Sequence, residues 1–223
     1  MKKLFFFIVL LVCSNSVYAQ QKYINVNGTS ELILNADQIN FTVQIKVIKE
    51  TIQESKKKND EYVNQLLQIL KSSGINSDDI ELSPITLGKN YEYSGRERTQ
   101  NGFYSQVIVS FILKDLSGYY NLTDKLTSND NFEITNAYYN ISDYEKQNKI
   151  AYENALKAAR EKAAYMSETL GLTLGDVLEI DENVNTPGYP NPFNTMTREQ
   201  NENENPYGNV TIRRSIRVKF AIR

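Results

Sequence analysis

The chain contains no histidine and no tryptophan, and it has one cysteine and five prolines in 223 residues. Each scarcity removes a class of chemistry. Without imidazole there is no general base of ordinary near-neutral pKa, and a Ser-His-Asp or Cys-His arrangement is excluded. The one cysteine, Cys13, lies in an N-terminal segment that reads as removable, so the mature protein has no thiol nucleophile, no disulfide and no soft metal site. An exported chain without disulfides is held by its core alone, and this one is long enough for that. Four of the five prolines, Pro187, Pro190, Pro192 and Pro206, fall in one stretch, which leaves the rest of the chain free for regular structure.

The removable segment has three parts. Lys2 and Lys3 form a basic start, residues 4–12 an apolar run, and Val17-Tyr18-Ala19 a small-residue cleavage pattern. Residues 1–19 are therefore expected to be a signal peptide cut after Ala19. Residues 20–223 are then the mature domain, in the periplasm or secreted. The apolar run is well short of the ~20 residues a helical span needs, so no transmembrane span is expected after cleavage. Cys13 after Leu11-Val12 raises a lipoprotein, but the residue before a lipidated cysteine is normally small and Val12 is not. Loss of Lys2 and Lys3 takes the basic side chains from 25 to 23 against 27 acids. That acidic balance disfavours nucleic acid as a partner.

Patterning predicts an α+β fold. Residues 23–28 and 32–35 read as extended. Ile39, Phe41, Val43, Ile45 and Val47 alternate with polar residues at the period of a half-buried strand. The two segments are expected to form an antiparallel hairpin about Asn35-Ala36-Asp37. Thr51 and Glu54 make a capping box for a shorter helix with Ile52, Val63, Leu66, Leu67 and Leu70 on its apolar side, ending at Gly74. Lys56-Lys57-Lys58, amid Glu54, Asp60 and Glu61, reads as a solvated helix face.

A second hairpin runs through residues 85–93 and 104–113, with a polar tip at residues 94–102. Tyr91, Tyr93 and Tyr104 are placed near its outer end. They are a candidate contact surface for a partner or a sugar, or simply cross-strand packing. Asp115 is expected to cap a short helix, and residues 132–141 to form a strand.

The longest helix is expected over residues 142–171, capped by Ser142 with Glu145 and ended by Gly171. Ala151, Ala155, Ala158, Ala159, Ala163, Met166 and Leu170 form its inner stripe. A strand follows at residues 174–180 with Val177 and Ile180 inward. Residues 183–209, rich in Asn, Pro and Glu, are expected to be a long exposed loop, partly disordered. Glu199, Glu202 and Glu204 lack the glycine-turned spacing of a calcium loop. In the last segment Val210, Ile212, Ile216, Val218, Phe220 and Ile222 share one parity, interrupted by Arg214. Arg213, Arg217 and Lys219 lie on the other, a candidate anionic-partner face or one answered by acids on a neighbouring strand. This strand is expected to pair with the first hairpin and close the sheet. The expected architecture is thus an antiparallel or mixed sheet of two hairpins plus later strands, packed by a long Ala-rich helix and a shorter capped one. Asn27, Asn121, Asn140 and Asn209 each begin a glycosylation pattern, which an Asn-rich chain produces by chance.

These pieces resemble the SIMPL-domain family over nearly all of the mature chain. Val26-Asn27-Gly28-Thr29-Ser30 followed by Asp37-Gln38 is similar to the family's first strand and turn, with Ala36 where proline is usual. Tyr91-Glu92-Tyr93 resembles its paired tyrosines and Asp115-Leu116 the exit from that hairpin. Ala155, Ala159-Arg160, Lys162-Ala163, Gly171, Leu174-Gly175 and Val177 resemble its Ala-rich helix and following strand, and Gly208 fits ahead of the last strand. The resemblance implies an α+β fold, an envelope location, homo-oligomers in some members and a link to oxidative-stress protection. It brings no catalytic residues.

Together these readings lead to a non-enzymatic protein that acts by self-assembly or by binding another envelope protein, with no cofactor and no metal. The alternatives are a small-ligand or glycan binder with a tyrosine-lined groove, and a hydrolase built on carboxylates. Stress protection here cannot run through thiols, and Met166 and Met196 are too few for a scavenger.

Overall fold

The computed structural model describes residues 22–95, 97–182 and 207–223. The expected signal peptide and most of the expected Asn/Pro loop lie outside these residues. Among them are eight strands and three α-helices, all strand pairing being antiparallel.

The larger sheet has β2 (Gln38–Lys49) at its heart, between β5 (Glu97–Leu113) and β6 (Glu133–Asn140). On the far side of β5 lie β3 (Ile80–Leu82) and β4 (Thr86–Ser94). Period-two alternation puts Ile39, Phe41, Val43, Ile45 and Val47 of β2 beside Val107, Val109, Phe111 and Leu113 of β5, all buried. Phe41 and Phe111 are direct partners, and their rings stack at 5.1 Å. Over this face lie α1 (Ile52–Ser72) and α2 (Tyr119–Thr127), which contribute Val63, Leu66, Leu70, Leu122 and Leu126. The Thr51 hydroxyl accepts from the Glu54 N–H and donates to the Glu54 carboxylate, so the capping box holds α1's first turn. Lys56 pairs with Asp60 at 2.6 Å and Lys58 with Glu61 at 2.7 Å on its wet face.

The smaller sheet has the order β1 (Tyr23–Asn35), β8 (Asn209–Ile222), β7 (Leu174–Glu182). Under α3 (Tyr144–Thr169) it buries Val26, Ile216, Val218 and Phe220 against Ala155, Ala159 and Ala163. A second cluster of Ala36, Ile141, Ala151, Val210 and Ile212 fills the space beneath the start of α3.

The expected first hairpin is not formed. β1 pairs with β8 along its whole length and β2 pairs with β5 and β6, so the chain passes from one sheet to the other at Asn35-Ala36-Asp37. The terminal strand does meet β1, but it builds a separate sheet instead of closing a single one. Both strands are amphipathic, and two helix layers offer two apolar surfaces to cover. Each strand satisfies its buried face on a different layer.

Three smaller expectations also change. Ser142 does not cap α3. Its N–H and hydroxyl both donate to the Asp37 carboxylate, at 2.8 and 2.6 Å, and Asp143 takes the N-cap position without a side-chain cap. The buried stripe of α3 is Ala151, Ala155, Ala159, Ala163 and Ser167, while Met166 and Leu170 are exposed and Ala158 is half-buried. A stripe with a spacing of four winds round a helix of ~3.6 residues per turn, following the twist of the sheet below. Val177 and Ile180 are 50% and 57% exposed, because β7 is an outer strand with register shifts that α3 barely reaches.

Candidate functional site

The sequence singles out two groups of side chains, and the fold separates them onto different sheets.

The first group lies on the hairpin of β4 and β5. Near the core, Gly88 pairs with Tyr104, and the Tyr104 ring lies across the glycine so closely that a Cβ there would come within 2.7 Å of it. The Lys46 ammonium lies 5.2 Å from the centroid of the same ring. Tyr104 is therefore cross-strand packing, an aromatic shielding a strand glycine, and it does not join the other two tyrosines.

Beyond Gly102 the hairpin leaves the sheet. Gly102 has φ +79°, and a Cβ there would meet the Lys49 carbonyl oxygen at 2.5 Å, so glycine is needed both for conformation and for space. β2 ends at Lys49, while β4 and β5 continue to Ser94 and Glu97 as a two-stranded arm. The expected tip at residues 94–102 is thus mostly strand.

Register defines two faces of this arm. Tyr91 opposite Gln100 and Tyr93 opposite Arg98 make one; Glu92 opposite Thr99 and Ser94 opposite Glu97 make the other. On the first, the Arg98 guanidinium lies over the Tyr91 ring at 3.6 Å from its centroid, with Tyr93 at 6.0 Å. Tyr93 is 69% exposed. On the second, Asn101 donates to Glu92 at 3.2 Å. Arg98 was not among the residues singled out by sequence. The signal that could have found it is the hairpin register, which sets Arg98 opposite Tyr93.

The second group lies on the helix-free face of the smaller sheet. Each basic residue there meets an acid on an adjacent strand: Arg213 with Glu31 at 2.7 Å, Lys219 with Glu179 at 3.6 Å and Arg217 with Asp181 at 3.9 Å. Lys219 also lies over Tyr23 at 4.3 Å. The Arg213 hydrogen bond holds the Glu31 carboxyl below the usual glutamate range and raises Arg213 in turn. An anionic partner would have to displace these acids.

Arg214, the break in the apolar parity of β8, reaches the flank of α3. It donates to Asn148 at 2.7 Å and stacks at 4.9 Å over Tyr152, whose hydroxyl donates to Glu182 at the end of β7. That hydrogen bond raises the Tyr152 pKa. The charge on the helix side of β8 is thus absorbed into a clasp between α3 and the end of β7.

Among the described residues no three His, Cys, Asp or Glu side chains lie together as a metal site would need, and no helix is long and apolar enough to cross a membrane. The fold and these surfaces define an α+β protein of two helix-covered antiparallel sheets, with β4 and β5 running on past β2 as a two-stranded arm among the described residues. Residues 24–220 match the model of the SIMPL family, described as protein of unknown function (DUF541), and the chain belongs to that family. No curated protein matches the chain.

Proposed function

We propose that this protein acts by contact, without catalysing a reaction, as an exported envelope protein that assembles with itself or binds another protein. The observation that carries the reading is the arm of β4 and β5 beyond Gly102. It presents Tyr91, Tyr93 and Arg98 on one face, clear of the sheet. Tyrosine and arginine are the side chains that most often anchor protein interfaces, because each offers a large contact area with a polar handle. A two-stranded ribbon with no third strand is marginal in water, so a partner laid against it would also stabilise it. The absence of imidazole and of a mature thiol supports a non-enzymatic role, and the signal-like N-terminus supports the envelope as its place. A protective role under envelope stress fits the same picture if protection comes from binding.

The test is a pull-down from envelope extract with the wild type beside a Tyr91→Ser/Tyr93→Ser variant, together with light scattering on both. A partner or an assembly present in the wild type and lost in the variant is expected. Equal retention by both proteins, or substrate turnover by purified protein, would overturn the reading.

A further inference from the structure

Where α2 begins, tyrosines from separate segments of the chain come together, and none of them belongs to the arm. Tyr119 stands on the core, its ring stacked on Phe41 of β2 at 6.0 Å. Tyr120 meets Tyr119 edge to face at 5.3 Å and is itself 75% exposed. Tyr139 of β6 pairs with the buried Ile39, which places it on the helix-covered side of the larger sheet. The helix layer stops short of β6 there: Ala137, opposite Phe41, and Tyr139 are both exposed. Gly208 packs against the Tyr139 ring, so near that a Cβ on it would lie 3.2 Å from two ring carbons.

The chemistry of this shelf is uniform. Burial, and after it the phenols of Tyr119, Tyr120 and Tyr207, raise the Tyr139 hydroxyl above its ordinary value, and no charged side chain contributes. The hydroxyls of Tyr119, Tyr120 and Tyr139 have no hydrogen-bond partner among the described residues. Core packing accounts for Tyr119. It does not account for Tyr120, whose ring lies mostly in water.

We propose that the shelf of Tyr119, Tyr120 and Tyr139 is a binding site for an uncharged saccharide, a pyranose ring resting against the exposed tyrosines with its hydroxyls bonded to theirs. Charge selects this class. An anionic or basic ligand finds no opposite charge bearing on Tyr139, and a pyranose needs none. Its C–H face packs on an aromatic ring, and its hydroxyls donate to phenol oxygens or accept from phenol O–H groups. The shelf lies apart from the β4–β5 arm, so the site stands or falls independently of the contact reading.

Two-dimensional NMR of the nitrogen-labelled protein, titrated with chitotetraose, maltotetraose, cellotetraose and mannotetraose at low and at high salt, tests this. The expected result is saturable shifts from at least one of these neutral sugars, concentrated at Tyr119, Tyr120 and Tyr139. The midpoint should be the same at both salt concentrations, because no charge pair is formed. Tyr120→Ala should weaken binding about tenfold, the worth of one aromatic contact. Tyr139→Phe keeps the ring and removes the hydroxyl, and should weaken it by less. Tyr165→Ala removes a tyrosine of α3 that is 72% exposed and lies outside this group, and should leave the midpoint unchanged. Circular dichroism of each variant establishes that the fold is intact. An absence of shifts with all the sugars, or binding that Tyr120→Ala leaves untouched, overturns the proposal. So does saturable binding of choline chloride at these tyrosines in place of the sugars, which would make the rings a site for a quaternary ammonium.

Discussion

Gly28 of β1 lies directly beneath Ala155 of α3, and a Cβ built on the glycine would stand 2.0 Å from the Ala155 carbonyl oxygen. The same atom would meet the Ala159 backbone nitrogen at 2.6 Å and its Cβ at 2.7 Å. No flexible side-chain end is available to give way, because the opposing atoms are helix backbone and an alanine Cβ fixed to it. The alanine stripe of α3 and the glycine of β1 are two halves of one close approach, which brings the helix onto the strand itself.

Gly28→Ala should therefore force α3 off the smaller sheet or bend β1. Overpacking against rigid backbone sits at the upper end of its usual range, so a loss of about 3 kcal/mol in unfolding free energy is expected. Urea denaturation measures it. Gly74→Ala makes a useful contrast, because nothing lies within 4 Å of its Cβ position and only the strain of its φ of +80° is felt. If the two variants lose the same amount, steric contact at Gly28 is not what matters.

Much of this arrangement was legible in the sequence, for reasons that can be stated residue by residue. The alternation of Ile39 to Val47 and of Val210 to Phe220 required strands with one buried face. Thr51 with Glu54, and Gly171 after Thr169, fixed helix ends through local hydrogen bonding alone. What could not be read was which surface each strand would cover. β1 and β2 are adjacent in sequence and each has its own periodicity, and a hairpin satisfies both patterns as well as two sheets do. Likewise Ser142 and Glu145 have the spacing of a capping box, but Asp37, 105 residues away, takes the serine's hydrogen bonds. Tertiary partners overrode a local motif. At the arm, Tyr91 and Tyr93 stood out with Tyr104 as either a contact surface or cross-strand packing, while the role of Arg98 depended on a register set by the irregularity near Gly102.

Beneath α1 a polar group ties the helix to two strands at once. The Asn59 side-chain amide donates to the Ile45 carbonyl at 3.0 Å and to the Ser105 carbonyl at 3.1 Å, and Asn59 is fully buried. The Ser55 hydroxyl lies 2.7 Å from its Val47 carbonyl acceptor, and the Ser105 hydroxyl donates back to the Ser55 carbonyl at 2.8 Å. Asn59→Ala leaves two buried carbonyls without these donors, and a cost of about 3 kcal/mol is expected. Asn59→Asp should be worse at neutral pH, where it buries an unpaired charge, and should recover in part on acidification as the carboxyl regains a proton to donate. Chemical denaturation at two pH values separates these outcomes. An Asn59→Asp variant equally stable at both would show that the side chain is not held dry.

On the open face of the smaller sheet, the Glu31 carboxyl is held below its ordinary range first by the hydrogen bond from Arg213 and then by that residue's charge, with desolvation opposing. A carboxyl lowered in the folded state adds stability that is present above its unfolded-state value and is lost as pH falls through the lowered folded value. The pair is fully exposed, so the effect on global stability should be small and should shrink further with salt. The titration itself is the sharper readout. The Glu31 carboxyl carbon, followed by NMR, should titrate below the usual glutamate range in the wild type and return toward it in Arg213→Ala. Arg217→Ala, which breaks the 3.9 Å pair with Asp181, should leave Glu31 where it was. Were Arg213→Ala to leave the Glu31 midpoint unmoved, the pair would not be closed in solution, and Arg213 would then be free to receive an anionic partner.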